Sequence, residues 1–565
     1  MENRDIIRIF KKTAALMELH NENPFKTRTM TNASFKLDKL SDRLEDLTHE
    51  QLESIDGIGK SLAANVREIA ETGTLVYYNE LLAKTPVGVA EMLELKGIGP
   101  KKIRTLWKEL DVETIPDLLQ ACDDNRVAAL KGFGKKTEES LKQSLLFKMA
   151  NADKRHYAIA LPMAEEIRKL LQEALPQNLI SYTGALRRKL DIIEKVEVLV
   201  GANHTDDTMK LLDSSEFIVK DELLSGPFSW RGKFEDGLAL EVVVCKPEKF
   251  ARQLWVTTGS TLHLASLLAE GKSLAETING KIIESEQKAY EMAGLQYVEP
   301  EMREGLFEIP LAKEGQLPEL VKSEDLKGIL HVHSTYSDGR HSLREMAEHC
   351  RDLGYEYLGI TDHSQSAFYA NGLDARRVKE QQEETDLLNK ELAPFRVFKG
   401  IESDILSDGS LDYDEEVLDS FDFIVASIHG NLGMDIDKAT QRLIGAIKNP
   451  HTTMLGHPTG RLLLRREGYP IDHRAVIDAC AEHGVIIEIN SNPWRLDLDW
   501  RWVHYAREKG VMLSINPDAH EKDVYADMYW GVCTGRKGGL TAAETFNAMG
   551  VKEVAAHFES RKSDG

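Results

Sequence analysis

The chain has 565 residues, 42% hydrophobic and 29% charged, with a formal net charge of −22; at roughly 100–200 residues per domain it asks for three or four domains, and the apolar share excludes a mainly disordered chain. No run of about 18 apolar residues occurs, which excludes a helical membrane span, and charges in MENRDIIRIFKKTAALMEL interrupt the apolar core that a signal peptide needs. Five cysteines (Cys122, Cys245, Cys350, Cys480, Cys533) lie far apart with no CxxC, as expected of reduced thiols in a cytoplasmic protein.

The acidity is uneven. Residues 1–150 carry a net −1, residues 151–320 a net −8 and residues 321–565 a net −13, and the last region also holds 13 of the 18 histidines. A region rich in both imidazole and carboxylate is what a site for several divalent cations requires. The near-neutral first region is the one whose charge does not oppose a nucleic-acid partner.

Residues 1–150 show apolar positions three and four apart, the helical period. Three segments share one form: IDGIGKSLAANVREIA around Gly57 and Gly59, LKGIGPKKIRTLWKEL around Gly97 and Gly99, and LKGFGKKTEESLKQSL around Gly132 and Gly134. In each, a Gly–hydrophobe–Gly turn precedes a lysine and an amphipathic helix. The turn leaves unpaired amides at the helix start, where the dipole favours an anion such as phosphate. Lys60, Lys101, Lys102, Lys135 and Lys136 stand beside those amides. The pattern resembles the helix-hairpin-helix motif, which implies contact with the DNA backbone without sequence reading. Residues 1–80 further resemble the N-terminal domain of family X DNA polymerases. Where lyase-active members carry a Schiff-base lysine, this chain has Asn65.

Residues 151–300 read as mixed α/β. ISYTGALRRKLDIIEKVEVLVGA resembles the family X palm, in which Gly-Ser and two arginines precede an Asp-x-Asp strand. Two carboxylates two apart on a strand face the same ions, which is why that chemistry uses the spacing. This chain keeps Gly184, Arg187 and Arg188, has Ala185 for the serine, and reads Lys195 and Glu197 at the Asp-x-Asp positions and Glu241 at the third carboxylate. An ammonium where an anionic ligand belongs repels a cation. Asp191 is four residues, about 13 Å of extended chain, from Lys195 and cannot replace it. Relatives place an aromatic pair before Thr-Gly-Ser; here the stretch is Val256–Thr257–Thr258–Gly259–Ser260. A palm fold without polymerisation is expected. Residues 301–326, rich in Glu, Lys and Pro, are expected to be a linker.

Residues 327–565 alternate apolar strands with helical stretches (342–353, 374–391, 435–448, 472–483, 498–509), and ligand-type residues recur at the strand ends. They are His331, His333, Asp338, His363, Glu402, His429, His457, Asp518 and His520. This order predicts a β/α barrel with its site at the strands' C-terminal ends. The motifs closely resemble the PHP (polymerase and histidinol phosphatase) family. That resemblance implies a distorted barrel holding up to three divalent cations, with all nine ligand positions filled. Six imidazoles favour Mn or Zn over Mg, and cations held there lower the pKa of a bound water that attacks phosphorus. Arg461 and Arg465, just beyond His457, are candidates for phosphate contact. The other histidines (His341, His349, His451, His473, His483, His504, His557) read as surface or packing residues.

The expected fold class is therefore multidomain α and α/β: a helix-hairpin-helix array, a nucleotidyltransferase-like palm and a distorted β/α barrel. The resemblance spans nearly the whole chain, in the order of bacterial family X DNA polymerases with a C-terminal PHP domain. It implies metal-dependent 3′–5′ exonuclease activity in base-excision repair, extending to abasic-site cleavage. Two other readings are a gap-filling polymerase with a Glu-based metal site and a small-molecule phosphatase with the front half a relic. A third, a non-catalytic DNA-binding scaffold, leaves the nine ligands unexplained.

Overall fold

The structure, a computed structural model, describes all residues except 2, 39, 41, 96, 269, 270, 564 and 565. It divides into two units, Met1–Ala152 and Asp153–Gly565.

The first unit is helical. Its three hairpin corners share one backbone solution: Gly57, Gly97 and Gly132 adopt φ of 81°, 82° and 86°, a region that only glycine enters without strain. Gly59, Gly99 and Gly134 then cap the helices Lys60–Thr72, Pro100–Leu110 and Lys135–Ala150, each without a side-chain cap. The hydrophobes between the glycines point inward, Ile58 and Ile98 fully and Phe133 partly buried.

The second unit contains a five-stranded sheet and a barrel. In the sheet, Lys195–Gly201 and Ala239–Cys245 run parallel at the centre, and the others pair antiparallel around them. Valines and leucines of these strands close a core with the helix Tyr157–Ala174 and with Cys533 from the barrel side.

Residues 301–326 differ from the expected linker. They carry the helix Glu308–Glu314, and Arg303 is fully buried, donating to Glu286 and to the Val298 carbonyl. Glu301, also buried, pairs with Lys189 on the sheet side and Arg536 on the barrel side. The charged composition suggested solvation. Instead each buried charge has a partner distant in sequence, so the segment packs against both neighbours.

The barrel has seven parallel strands: β1 Gly328–Ile329, β2 Tyr357–Ile360, β3 Arg396–Asp404, β4 Phe423–Ser427, β5 Met454–Leu455, β6 Ile486–Asn490 and β7 Leu513–Asn516, neighbours in that order. Their near-continuous apolar runs suit strands covered on both faces. The ring closes just beyond β1 and β7, where His333 N–H donates to the Ala519 carbonyl at 2.8 Å and Ala519 N–H to that of His331 at 3.2 Å. Gly359 and Gly400 flank the Phe423 ring, where a Cβ on either would come within 2.5 Å of it; the ring fills the barrel interior only because both are glycine. Helices Leu343–Asp352, Ala375–Glu391, Ile436–Ile447, His473–His483 and Trp500–Glu508 connect the strands, each capped by a Ser or Asp side chain. No helix among the described residues is long and apolar enough to cross a membrane.

Candidate metal centre

The strand ends of the barrel bring all nine sequence-predicted residues into one cluster. His331 and His333 follow β1, Asp338 and His363 lie in the loops after β1 and β2, Glu402 is on β3, and His429, His457, Asp518 and His520 follow β4, β5 and β7. Three overlapping sets have ligand atoms mutually within 4.8 Å: His333, Asp338, His363 and His520; His331, His333, Glu402 and Asp518; and His363, Glu402 and His429. Glu402 is the hub. Its oxygens lie 3.4 Å from His331 Nε2, 3.6 Å from His333 Nε2, 3.0 Å from His363 Nδ1, 3.2 Å from His429 Nε2 and 3.0 Å from His457 Nε2. Asp518 Oδ1 faces His333 Nε2 at 3.1 Å, and Asp338 Oδ1 faces His520 Nε2 at 3.3 Å. His331, His333, Glu402 and His457 are fully buried, while the side chains of Asp338 and His520 remain 36% and 37% exposed and mark the open side.

The donor set fits divalent cations. His331 Nε2, both ring nitrogens of His333, His363 Nδ1, His457 Nδ1 and Glu402 Oε2 are buried without a hydrogen-bond partner, which is costly for polar atoms unless something else satisfies them. Nitrogen and oxygen donors bound about 2.0–2.2 Å from a tetrahedral ion lie about 3.3–3.6 Å apart, close to the 3.0–3.6 Å between the histidine nitrogens and the Glu402 oxygens.

Proton affinities carry the same demand for positive charge. Burial would drive protons off His429 and His520, yet the carboxylates of Glu402 and Asp404 hold the first up at about 10, and Asp338 and Asp518 hold the second up at about 9. Burial opposes ionisation of Asp338, but the hydrogen bond and charge of His520 pull it down to about 2. Burial, reinforced by His520 and His363, brings His333 down to about 3, so the ring is neutral at neutral pH and offers one free nitrogen lone pair. Bound cations take over the charge that the protonated rings supply.

Three orienting residues escaped the sequence reading. Glu488 on β6 accepts from His331 Nδ1 at 2.6 Å, and Asp404, two residues past Glu402, accepts from His429 Nδ1 at 2.5 Å. Each directs the ring's Nε2 at the cluster, as outer carboxylates do at metal sites. Asp362 accepts from Ser334 and Ser337 and orders the loop that delivers Asp338. The available signal was a carboxylate inside an apolar strand, IIEIN, and the alternation Glu402-x-Asp404.

Of the two candidate arginines, Arg461 is engaged elsewhere and Arg465 is not. Arg461 points away from the cluster: its guanidinium donates to the carbonyls of Arg495 and Leu496, pairs with Asp499, and reaches Asp191 at 3.5 Å. Four acceptors converging from the barrel and the sheet leave it no free face. Arg465 is exposed and lies over the Trp494 ring at 5.9 Å. Arg495 also lies beside the cluster, with Nε 3.8 Å from Asp518 Oδ2.

Comparison with known proteins follows these divisions. Residues 1–75 match the helix-hairpin-helix domain, 89–145 the SAM-like helix-hairpin-helix tandem, and 330–492 the PHP domain. Over 573 aligned residues, 99% of this chain and 100% of the relative, it is 36% identical to the DNA polymerase/3′-5′ exonuclease PolX of Bacillus subtilis (strain 168). The chain belongs to the PolX family. Over about a third of its length it also resembles probable phosphatases: 28% identical over 214 residues to one from Caldanaerobacter subterraneus, and 30% over 208 residues to one from Caldicellulosiruptor saccharolyticus. Each alignment covers 34% of this chain and 77% or 79% of the relative.

In this PolX chain the three palm positions pair with one another, and Arg231 completes the charge balance. Lys195 Nζ contacts Glu241 and lies 3.2 Å from Glu197, and Arg231 Nε lies 2.6 Å from the other Glu241 oxygen. Burial works against the Lys195 ammonium, but hydrogen bonding to Glu241 and the two carboxylate charges outweigh it and raise its pKa. The two palm arginines are also paired, Arg187 with Glu286 and Arg188 with Glu304 at 3.0 Å.

At the hairpins, a Cβ built on Gly59, Gly97, Gly99, Gly132 or Gly134 meets nothing within 4 Å, so those corners are open to an approaching backbone. Lys60, Lys101 and Lys135 are exposed beside them; Lys101 lies 3.6 Å from Glu18, and Lys102 lies over Phe133 at 5.2 Å.

Proposed function

We propose that this PolX chain is a divalent-metal-dependent phosphodiesterase that removes nucleotides from DNA 3′ ends and cuts at abasic sites during base-excision repair in the cytoplasm. The observation that carries the reading is the nine-residue cluster with its unpaired donor atoms at the barrel mouth, in a chain aligned end to end with a named 3′-5′ exonuclease. His331, His333, Asp338, His363, Glu402, His429, His457, Asp518 and His520 would hold up to three cations, and six imidazoles favour Mn or Zn over Mg. When bound, such cations supply a nucleophile near neutral pH and neutralise charge on the phosphoryl oxygens. Glu488 and Asp404 keep the His331 and His429 rings turned to the site. Arg495, at the rim beside Asp518, is placed to pair with a non-bridging phosphate oxygen.

Residues 1–150 are read as the DNA-gripping region. Gly57, Gly59, Lys60, Gly97, Gly99, Lys101, Lys102, Gly132, Gly134 and Lys135 would present backbone amides and charge to phosphates, giving modest, salt-sensitive binding without sequence preference. Residues 151–300 are read as a palm that does not polymerise, because Lys195 occupies the charge position between Glu197 and Glu241 that a cation needs. Residues 327–565 form the phosphoesterase domain.

The phosphatase reading draws support from the probable phosphatases, but it leaves the hairpins without a role. The test is incubation of the purified chain with 5′-labelled single-stranded and gapped DNA and Mn²⁺, with and without dNTPs. Shortening in both conditions supports the proposal. Primer extension that is lost in Glu241→Ala overturns the account of the palm.

A further inference from the structure

Two large aromatic side chains stand in water beside the cluster. Phe368 is 89% and Tyr369 72% exposed, side by side in the short turn Phe368–Ala370. Large apolar surface of this kind is unfavourable in water and marks an interaction site when it is held rigidly next to a chemical centre.

The turn is held. Ala367 and Ala370 on either side are fully buried and anchor it. Ser364 Oγ donates to Asp412 at 2.7 Å, Ser366 N–H to the same carboxylate at 2.6 Å, and Ser366 Oγ to Asp404 at 2.7 Å. Asn371, in the left-handed region at φ 57°, donates to the Tyr336 carbonyl at 3.1 Å. Asp404 is also the carboxylate that orients His429, so one side chain ties the turn to the metal centre. Gly372 closes the loop where a Cβ would meet the Ser364 carbonyl oxygen at 1.9 Å.

The turn also faces the chemistry. The Tyr369 ring centroid lies 6.1 Å from that of His363. Tyr369 therefore sits beside a cluster imidazole, with Phe368 next to it in the same turn.

We propose that Phe368 and Tyr369 form a stacking platform for the unpaired terminal base of a nucleic-acid strand, holding the adjoining phosphodiester at the cluster. This rests on the exonuclease reading and names what speeds that site at a 3′ end: a terminal nucleobase, an abasic end being cut by the same centre but more slowly. Stacking suits a site that must accept every base, because each base presents a π face whatever its hydrogen-bonding edge.

The test compares two single-stranded oligonucleotides of one sequence, ending at the 3′ side in a normal nucleotide or in a tetrahydrofuran residue that lacks the base, with full-length protein and Mn²⁺. Wild type is expected to prefer the base-bearing end by about tenfold or more in kcat/KM, mainly through KM. Phe368→Ala/Tyr369→Ala should bring the base-bearing end down to the abasic rate and leave the abasic rate unchanged, while Tyr369→Phe keeps the preference. Equal cleavage of both ends by wild type overturns the proposal while leaving the exonuclease reading intact. An equal fall on both substrates in the double variant overturns it too, because that is a structural effect. Shortening of neither substrate by wild type removes the exonuclease reading, and this proposal with it.

Discussion

Replacing Glu488 by Gln should weaken metal binding without touching any residue that faces the cations. Glu488 is fully buried on β6, and every group around it is a donor. One oxygen accepts from His331 Nδ1 at 2.6 Å and Asn516 Nδ2 at 3.3 Å; the other accepts from the His457 amide at 2.9 Å and Asn490 Nδ2 at 3.3 Å. A carboxylate satisfies both sides, whereas an amide must turn its NH₂ toward one of them. Turned toward His331, it drives the ring proton from Nδ1 to Nε2, the atom that faces Glu402 and Asp518. Turned toward His457, it opposes a backbone N–H and shifts the loop that carries that imidazole. Outer partners of metal-bound histidines contribute about 10- to 100-fold in affinity or activity, about 1.4–2.7 kcal/mol. The assay is competition titration of Mn²⁺ or Zn²⁺ into metal-free protein, with metal content per chain and kcat/KM for DNA shortening measured in parallel. A folded Gln variant with wild-type metal affinity and rate would refute the reasoning.

Chelation should lower the Tm of the wild-type chain, and added Mn²⁺ should restore it in proportion to the logarithm of its concentration, because ligands that bind only the folded state stabilise by mass action. Lys195→Ala should destabilise the palm by about 1 kcal/mol in denaturant titration, a modest value because the ammonium is partly exposed, and should not produce primer extension. Glu301 resists ionisation through burial, but Lys189 and Arg536 bring its pKa down to about 2. A depressed carboxylate stabilises the fold above its unfolded value near 4.5, and that stability is lost as pH falls through about 2. The shift corresponds to about 3 kcal/mol. Glu301→Gln should therefore unfold more readily at pH 7, with the difference from wild type closing between pH 4.5 and 2.

The cluster was legible because its chemistry is periodic. Two imidazoles two apart after β1, and a ligand type at one strand end after another, cannot be mistaken for scattered surface histidines. The hairpins were legible for a similar reason, since Gly–hydrophobe–Gly fixes a local backbone that repeats three times. What escaped was set by distant partners. Arg461 stands just beyond His457 in the sequence and Arg495 has no such cue, yet Asp499 and Asp191 engage the first while the second lies beside Asp518. The segment 301–326 has a linker's composition, yet Arg303 finds Glu286 and Glu301 finds Arg536, pairings no local pattern announces. Glu488 reads as one more strand residue until β6 is placed beside β5 and β7. The Lys195 substitution was visible, but that its ammonium would contact both neighbouring carboxylates depended on the register that sets Glu197 beside Glu241.

Phosphodiester hydrolysis is proposed for the barrel cluster. Glu402 tests it most directly, because five of the six clustered imidazoles face its oxygens. Shortening of 5′-labelled single-stranded DNA by the Glu402→Gln chain in Mn²⁺, with DNA binding measured on the same preparation, is the decisive measurement. Loss of shortening is expected, with DNA binding retained by the hairpin region. Shortening at the wild-type rate by a folded Glu402→Gln protein would contradict it.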